Sequence, residues 1–189
     1  AGGLQGVLSA VPAIRAFASY DLKASLARQA AKRIAGGRVH GPDQVRECLR
    51  GMRWTVDGVR FEFLHPPPKH SGRGLKTGAS NARSCVLRIT GKHHAALLTG
   101  DIGVKEERAI VAAGMAPVDL VVVAHHGSRS SSSPDFVRAS GAIHALIQAG
   151  RHNRFGHPDP GVLNRWNDAG ATIWRSDWHG AVTAQSGAG

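Results

Sequence analysis

Two adjacent histidines at the end of an apolar run are the residues of this sequence best suited to chemistry. They are His125 and His126 in the segment LVVVAHHGSRSSSS, residues 120–133. Imidazoles placed where a buried strand meets solvent lose hydration unless they gain partners. Because neighbouring side chains of a strand point to opposite faces, we expect at most one of the two to face a shared metal ion. The other would pack, or would orient a ligand by a hydrogen bond.

Two other predicted strands end in residues that could join this site. Asp101 follows the strand AALLTG, directly after a glycine that permits a sharp turn. Arg154 and His157 lie in RHNRFGHP, which follows the strand HALIQ. Sites in α/β sheets gather where strands end and loops converge, so we expect the three loops to meet. Taken alone, Asp101 is more typical of a helix cap than of a metal ligand.

The remaining sequence predicts the elements that hold these loops. Apolar and polar residues alternate on both sides of Asp57 and Gly58, which predicts a two-residue hairpin within RWTVDGVRFEFLHPPP. Asp21 is a candidate N-cap for the helix LKASLARQAAKRIAGG. Other strands are predicted at AIRAFAS, SCVLRIT, HAALLTG, VDLVVVA, AIHALIQ and ATIWRS, and a closing hairpin follows the last of them. Other helices are predicted at 4–10, 104–114, 134–140 and 161–170, and a surface loop at 69–83. Hairpins followed by strand–helix alternation predict a mixed α/β sheet covered by helices.

Composition restricts the class of protein and its partners. A chain of 189 residues that is 42% hydrophobic can bury one substantial core, which favours a single domain. Its 24 Lys and Arg against 13 Asp and Glu give a net charge of +11, which favours a polyanionic partner such as nucleic acid over a merely basic surface. Cys48 and Cys85 are far apart and lack a CxxC motif, so the sequence specifies neither a disulfide framework nor a thiolate metal site, and we expect both in the core.

Five segments together resemble one known family. LLTGDI, VVVAHHGSRSSSS and NRFGHPDPGVLNRW, with NARSCVLRI before them and WRSDWHGAV after, are similar as a set to the metallo-β-lactamase-type domain of the ComEC-type proteins, which internalise DNA in bacterial competence. The resemblance implies an α/β fold of the αββα sandwich type, with mixed sheets covered by helices. It also implies that residues 1–184 form a partial, N-terminally truncated domain. The Gly and Ser composition of residues 185–189 separately predicts a disordered tail. In this superfamily a helix beginning GGL follows the HxHxDH metal motif, so we expect that motif just upstream of Ala1.

The resemblance also implies a metal site. Asp101 resembles the carboxylate that bridges two divalent ions, zinc or manganese, in the intact domain. His126 resembles the late histidine ligand of the second ion, with His125 as its substitute. Where the superfamily has a middle histidine ligand, this chain has Asn81 and Ser84 instead. Without the HxHxDH motif, the 189 residues alone are expected to bind metal weakly or not at all.

Further residues are expected on the substrate side of that site. Ser128 and the serines after it would line it, together with Asn153 and Arg154. Arg154 and His157 suit phosphate contact or general acid catalysis. The expected catalytic residues are Asp101, His126, Arg154 and His157.

The function implied is that of a nuclease domain in a DNA-uptake protein. It would hydrolyse phosphodiesters of incoming DNA, although the fragment alone is expected to be inactive. The expected partners are DNA and the rest of a parent protein of the bacterial inner membrane, with this domain on its outer face and without a nucleotide cofactor. The alternatives are another metallo-β-lactamase-type hydrolase, such as a phosphodiesterase or phosphorylcholine esterase, and a DNA-binding module without catalysis.

Overall fold

The computed structural model of the chain describes residues 15–19, 22, 44–68 and 81–188. The chain divides into two compact units, Ala1–Cys48 and Leu49–Gly189. In the first unit, strand β1 (Arg15–Ala18) pairs in parallel with strand β2 (Gln44–Glu47). The strand predicted to end near Ser19 is thereby confirmed. The predicted helix at 4–10, the helix at 22–37 apart from Leu22, and most of the loop at 69–83 lie outside the described residues.

The second unit is built on a seven-stranded sheet whose strands lie in sequence order. The strands are β3 (Arg53–Val56), β4 (Val59–His65), β5 (Val86–Thr90), β6 (Ala95–Leu98), β7 (Leu120–Val122), β8 (His144–Ile147) and β9 (Thr172–Arg175). Neighbours are antiparallel from β3 to β6 and parallel from β6 to β9. The carboxyl ends of the last four strands therefore lie at one edge of the sheet, and the three loops of interest all begin there.

The antiparallel half begins with the predicted hairpin. Asp57 and Gly58 have φ angles of 50° and 78°, the left-handed conformations that a two-residue turn of this kind requires. Trp54 and Phe61, which pair across the two strands, stack with ring centroids 5.2 Å apart. A local turn signal and one cross-strand aromatic pair thus set the register of this edge.

Helices fill the connections of the parallel half. They are α1 (Val104–Ala112), α2 (Pro134–Ser140), α3 (Pro160–Asp168) and α4 (Ser176–His179). The first three match the predicted helices. The closing hairpin expected after β9 is wrong, because α4 follows the strand directly. The Arg175 side chain donates to the Asp177 carboxylate at 2.6 Å and lies 3.7 Å from the centre of the Trp178 ring, which closes the chain into a turn.

The helices cover the sheet through one continuous apolar cluster. Its fully buried members include Leu97 and Val121 from the strands, Phe136 from α2, and Val162 and Trp166 from α3. Burying a large apolar side chain contributes roughly 1.5–3 kcal/mol. The second unit is therefore an α/β structure with a large mixed sheet, as predicted. The metallo-β-lactamase-type sandwich stays a prediction.

The two cysteines differ from expectation in one respect. Cys48 is fully buried, as expected of a core residue, and Cys85 is partly buried. Neither is a free thiol, since both are disulfide-bonded. Their separation in the sequence gave no sign of this. Among the described residues, no helix is both long enough and apolar enough to cross a membrane.

A buried carboxylate fixes the serine-rich segment after the two histidines. Glu107 of α1 is fully buried, and its two oxygens accept the N–H groups of Ser132 at 2.5 Å and Ser133 at 2.7 Å. Ser132 has a φ of 57°, a left-handed conformation that is rare for residues with a side chain. The carboxylate therefore stabilises a backbone conformation that the segment would rarely adopt by itself.

The same segment is held by α3 and in turn holds the histidine turn. Arg165 donates from Nε to the carbonyl of Ser132 at 2.7 Å, and Trp166 donates from Nε1 to its hydroxyl at 3.2 Å. The hydroxyl of Ser131 donates to the carbonyl of Ala124 at 2.8 Å, directly before the two histidines. Because Ser131, Ser132 and Ser133 are buried, the expectation that the whole serine run lines the substrate side is wrong for these three.

We predict that Glu107→Ala lowers the free energy of unfolding by about 2–6 kcal/mol, because each of the two N–H groups left without an acceptor costs about 1–3 kcal/mol. Urea denaturation of the chain measures this. Glu62→Ala is the matched control, since Glu62 is partly exposed on a strand and its ion pair with Arg60 is 3.7 Å long, so its loss should cost less than about 1 kcal/mol. Equal losses in the two variants would contradict the role given to Glu107.

The ionisation of Glu107 makes the stability of the fold depend on pH. Burial raises the pKa of this carboxyl above its ordinary 4.5, and the hydrogen bonds from Ser133 and Ser132 and the charge of Arg165 offset only part of that rise. The folded state thus keeps the proton after the unfolded state has lost it, so the contribution of Glu107 to stability falls as pH rises from 4.5 through the raised pKa. We predict that the stability of the wild type relative to Glu107→Gln falls over this interval in urea titrations at successive pH values. A relative stability that rises with pH would show that the pKa is lowered instead.

Candidate functional site

Backbone hydrogen bonds join the three loops at the carboxyl edge of the parallel strands. The N–H of His125 donates to the carbonyl of Gly100 at 3.0 Å, which links the loop after β7 to the loop after β6. The N–H of Asp159 donates to the carbonyl of Gly127 at 2.8 Å, which links the loop after β8 to the same turn. The predicted convergence of the three loops is therefore observed.

The histidine pair sits on a left-handed turn rather than on the strand. Strand β7 ends at Val122, and His125, His126 and Gly127 have φ angles of 51°, 58° and 76°. The expectation that the two side chains point to opposite faces of a strand is wrong, because the backbone is no longer extended there. Their rings lie 6.5 Å apart at an angle of 64°. Both rings are thus on the side of the sheet edge where the loops meet.

His126 and Asp101 face each other across two of these loops. The Nε2 atom of His126 lies 3.6 Å from Oδ1 of Asp101, and both side chains are about half exposed, at 50% and 41%. The Nδ1 atom of His126 lies 2.8 Å from the carbonyl oxygen of Gln148. A carbonyl oxygen only accepts, so Nδ1 carries the proton and Nε2 of the neutral ring turns its lone pair toward the carboxylate. Two acceptors in this position are stabilised by a proton or a cation between them.

The chemistry of this donor pair fits one part of a metal site. Zinc binds imidazole nitrogen and carboxylate oxygen at about 2.0–2.2 Å, so two tetrahedral ligand atoms lie about 3.4 Å apart. The carbonyl that orients His126 is the kind of partner that metal-binding histidines use. Within the part of the chain that the structure describes, no group of three or more His, Cys, Asp or Glu side chains is placed to hold an ion. The metal-ligand roles of Asp101, His126 and His125 stay predictions.

His125 contacts Asn81, which stands where the family resemblance predicts a histidine ligand. The Nδ2 group of Asn81 lies 3.3 Å from Nε2 of His125, at hydrogen-bonding distance. Ser84 accepts the N–H of Asp101 at 3.1 Å through its hydroxyl. A Cβ at Gly100 would lie 2.9 Å from Cβ of Ser84, so glycine is required for this approach. Asn81 and Ser84 therefore both belong to the site, although the sequence marked them only as departures from a motif.

The loop after β8 is organised by Asn153. Its Oδ1 accepts the N–H groups of Phe155 at 3.2 Å and His157 at 3.0 Å, and its Nδ2 donates to the carbonyls of Gly150 at 2.9 Å and His157 at 2.7 Å. The amide is thus used within the loop. Its predicted contact with substrate stays a prediction, and what the structure shows is a residue that positions its neighbours.

His157 and Arg154 project from this ordered loop. The ring of His157 lies 6.0 Å from that of His125, nearly edge-on, and 5.8 Å from that of Phe155. Burial lowers the pKa of His157, and the neighbouring His125 and His126 lower it further, while Asp159 opposes the change. The His157 ring is therefore mostly neutral near pH 7. Arg154 is exposed, with its guanidinium 4.9 Å from the centre of the Phe155 ring.

Ser128 lies on the inner side of its loop. Only 9% of the residue is exposed, and its hydroxyl is 3.0 Å from that of Ser130. The predicted residues Asp101, His125, His126 and His157 are therefore brought together, while Ser128 is set back among buried residues. Two groups beside the site, the carbonyl of Gln148 and the ring of Phe155, were not predicted from the sequence. No sequence signal marks a backbone carbonyl such as that of Gln148, whereas the aromatic Phe155 beside Arg154 was visible in RHNRFGHP.

We predict that Gly127→Ala is more destabilising than Gly114→Ala, with an excess of about 1–3 kcal/mol from overpacking. A Cβ at Gly127 would lie 2.6 Å from Cβ of Pro158, whereas a Cβ at Gly114 would meet nothing within 4 Å. Both glycines have a positive φ, 76° and 81°, so their backbone strain cancels in the comparison. Urea denaturation of the two variants measures the excess, and equal losses would show that the contact with Pro158 does not constrain the turn.

Comparison with known proteins identifies relatives in bacterial competence. The chain is 35% identical to "Competence protein ComA" of Neisseria gonorrhoeae over 158 residues, 82% of this chain and 22% of that protein. It is 32% identical to "Recombination protein 2" of Haemophilus influenzae over 118 residues, 62% of this chain and 14% of that protein. It is 26% identical to "ComE operon protein 3" of Bacillus subtilis over 141 residues, 73% of this chain and 17% of that protein.

No protein-family model matches the chain. The matched segments cover less than a quarter of each of these relatives, at most 22% of their length. The match to the first extends over four fifths of this chain, which agrees with the resemblance seen in the motifs around Asp101, the two histidines and NRFGHP. The chain therefore belongs to the ComEC-type competence proteins, of which it represents one region.

Proposed function

We propose that this region is part of a metal-dependent nuclease domain, of the metallo-β-lactamase-type αββα sandwich, that acts on incoming DNA during bacterial competence. The names of the relatives support a role in competence and DNA uptake. The proposed nuclease activity is supported by the geometry of Asp101 and His126. A large mixed sheet with helices, and loops that meet at the carboxyl ends of its parallel strands, supports the proposed fold.

The observation that carries the proposal is the approach of His126 to Asp101. A hydrogen bond to the carbonyl of Gln148 holds a proton on Nδ1 of His126, and Nε2 lies 3.6 Å from the carboxylate of Asp101 with both groups as acceptors when the ring is neutral. This arrangement is disfavoured in the absence of a positive charge and stabilised by one. Asp101 and His126 would together hold divalent ions, zinc or manganese, and other ligands would come from outside the described residues. His125 would serve as the substitute ligand if its contact with Asn81 were released.

The reaction proposed is hydrolysis of a phosphodiester. A water oxygen forms a bond to phosphorus, the bond from phosphorus to the leaving oxygen breaks, and a proton from the water passes to the leaving oxygen. When bound, the ions would lower the pKa of the water and neutralise charge on the leaving oxygen. The exposed guanidinium of Arg154 would bind a phosphate oxygen. The imidazole of His157 would accept the proton from the water and pass it to the leaving oxygen.

Charge and redox state support the rest of the proposal. The net charge of +11 favours DNA as the partner, and Arg151 and Arg154 are exposed on the loop beside the site. Disulfide bonds persist in oxidising compartments, so the oxidised Cys48 and Cys85 support a position on the outer face of the bacterial inner membrane. The parent protein would supply the membrane segments.

A DNA-binding module without catalysis is the second candidate. The observation in its favour is that the described residues bring together only two side chains suited to one ion, fewer than the three protein ligands of a typical catalytic zinc site. In that case Asp101 and His126 would be structural, and the positive charge between them would be a proton on the imidazole.

We predict that Asp101→Ala in the full-length protein reduces manganese-dependent cleavage of single-stranded DNA by about 100-fold or more, since even partners of metal ligands cost 10–100-fold when removed. His94→Ala is the matched control, because His94 is exposed in the turn between β5 and β6 and its ring contacts His93 and the hydroxyl of Ser186, not the candidate site. Gel analysis of labelled DNA measures the rates. Equal rates in the two variants would reject the assignment of Asp101, and a wild type that binds DNA without cleaving it would favour the second candidate.

A further inference from the structure

An exposed aromatic ring stands beside the candidate site without a role in it. Phe155 has 66% of its surface exposed, although it lies in a loop whose backbone is held by the Asn153 amide. Single exposed apolar residues are common and need no explanation. Phe155 differs because two polar neighbours contact its ring and because hydrogen bonds to Asn153 hold the backbone of its loop.

The contacts of this ring connect it to the site. The rings of Phe155 and His157 are nearly parallel, with an angle of 21° and centroids 5.8 Å apart, and His157 is 6.0 Å from His125. A row of three rings therefore leads from the exposed Phe155 to the histidine turn. The guanidinium of Arg154 lies 4.9 Å from the centre of the Phe155 ring, which places a phosphate-binding group next to an aromatic face.

We propose that Phe155 is a stacking platform for one nucleobase of a single-stranded DNA bound in the candidate site, with Arg154 contacting the adjacent phosphate. This inference rests on the proposed function, for which it specifies the form of the substrate. Aromatic side chains bind single strands by stacking on bases, while cationic side chains follow the backbone. The bases of a duplex are stacked on one another, so this platform selects single strands or frayed ends.

A second exposed aromatic of the same unit provides the contrast. Trp178 is 72% exposed, but the guanidinium of Arg175 covers its ring at 3.7 Å and is itself paired with the carboxylate of Asp177 at 2.6 Å. The ring is thus partly covered by a cation that already has its counter-charge. Trp178 is therefore the matched control for the loss of an exposed aromatic side chain.

The test measures binding separately from cleavage. The full-length protein and its variants are titrated, without added metal, into a fluorescent single-stranded oligonucleotide of about 12 nucleotides, within the span of one single-strand site. A second oligonucleotide has the same length and charge, with tetrahydrofuran units in place of the nucleosides. Fluorescence anisotropy gives Kd for both.

Stacking of one base predicts that Phe155→Ala raises Kd for the ordinary oligonucleotide by about 5- to 150-fold. Phe155→Leu should raise Kd by as much as Phe155→Ala does. Phe155→Trp should retain binding, and Trp178→Ala should leave Kd unchanged. None of the Phe155 substitutions should alter Kd for the base-free oligonucleotide. An unchanged Kd in Phe155→Ala, or equal losses for the two oligonucleotides, would overturn the inference.

The test distinguishes failure of the stacking platform from failure of the nuclease proposal. If the wild type binds with the predicted dependence on Phe155 and on bases but never cleaves, the stacking platform stands and the nuclease proposal fails. If the wild type cleaves DNA while Phe155→Ala binds as well as the wild type, the nuclease proposal stands and the platform fails.

Discussion

Three consecutive residues in the left-handed region, His125, His126 and Gly127, are the constraint on which the site depends. Such a conformation costs roughly 1–2 kcal/mol for each residue that has a side chain. The cost is offset by bonds from outside the turn: the N–H of His125 to Gly100, the hydroxyl of Ser131 to Ala124, and the N–H of Asp159 to Gly127. The first and third of these bonds reach the loops after β6 and β8, and the second ties the turn to the serine segment of its own loop. The same contacts that make the turn stable therefore bring the functional loops together.

Within this frame, the electrostatics of the site follow from one backbone carbonyl. Gln148 accepts from Nδ1 of His126 and so directs the other ring nitrogen at Asp101. The pair is half exposed, so an ion or a proton can reach it from solvent. The end of strand β8 and the turn after β7 therefore set the position and the tautomer of His126 and its access to solvent.

Much of this arrangement could be predicted from the sequence because the relevant signals are local. Asp57 and Gly58 specified their hairpin, and apolar runs ending in Asp101, in His125 and His126, and in RHNRFGHP predicted strand ends that meet at one edge.

The rest depended on tertiary contacts that no local pattern encodes. Nothing in VKEERAIVAAG distinguishes the fully buried Glu107 from its neighbour Glu106, and the hydrophilic serines after Ser130 gave no hint of burial. The left-handed histidines were mistaken for strand residues because their conformation depends on bonds to the loops after β6 and β8 and to the serine segment.

Helix α3 has a consequence for how the site moves. Its N-cap is Asp159, two residues after His157, and its Arg165 and Trp166 bind the serine segment that supports the histidine turn. The loop that carries His157 and the serine segment are thus both attached to one short helix. Local opening of a folded protein proceeds in contiguous cooperative units. Displacement of α3 accordingly moves the His157 loop and the serine segment together.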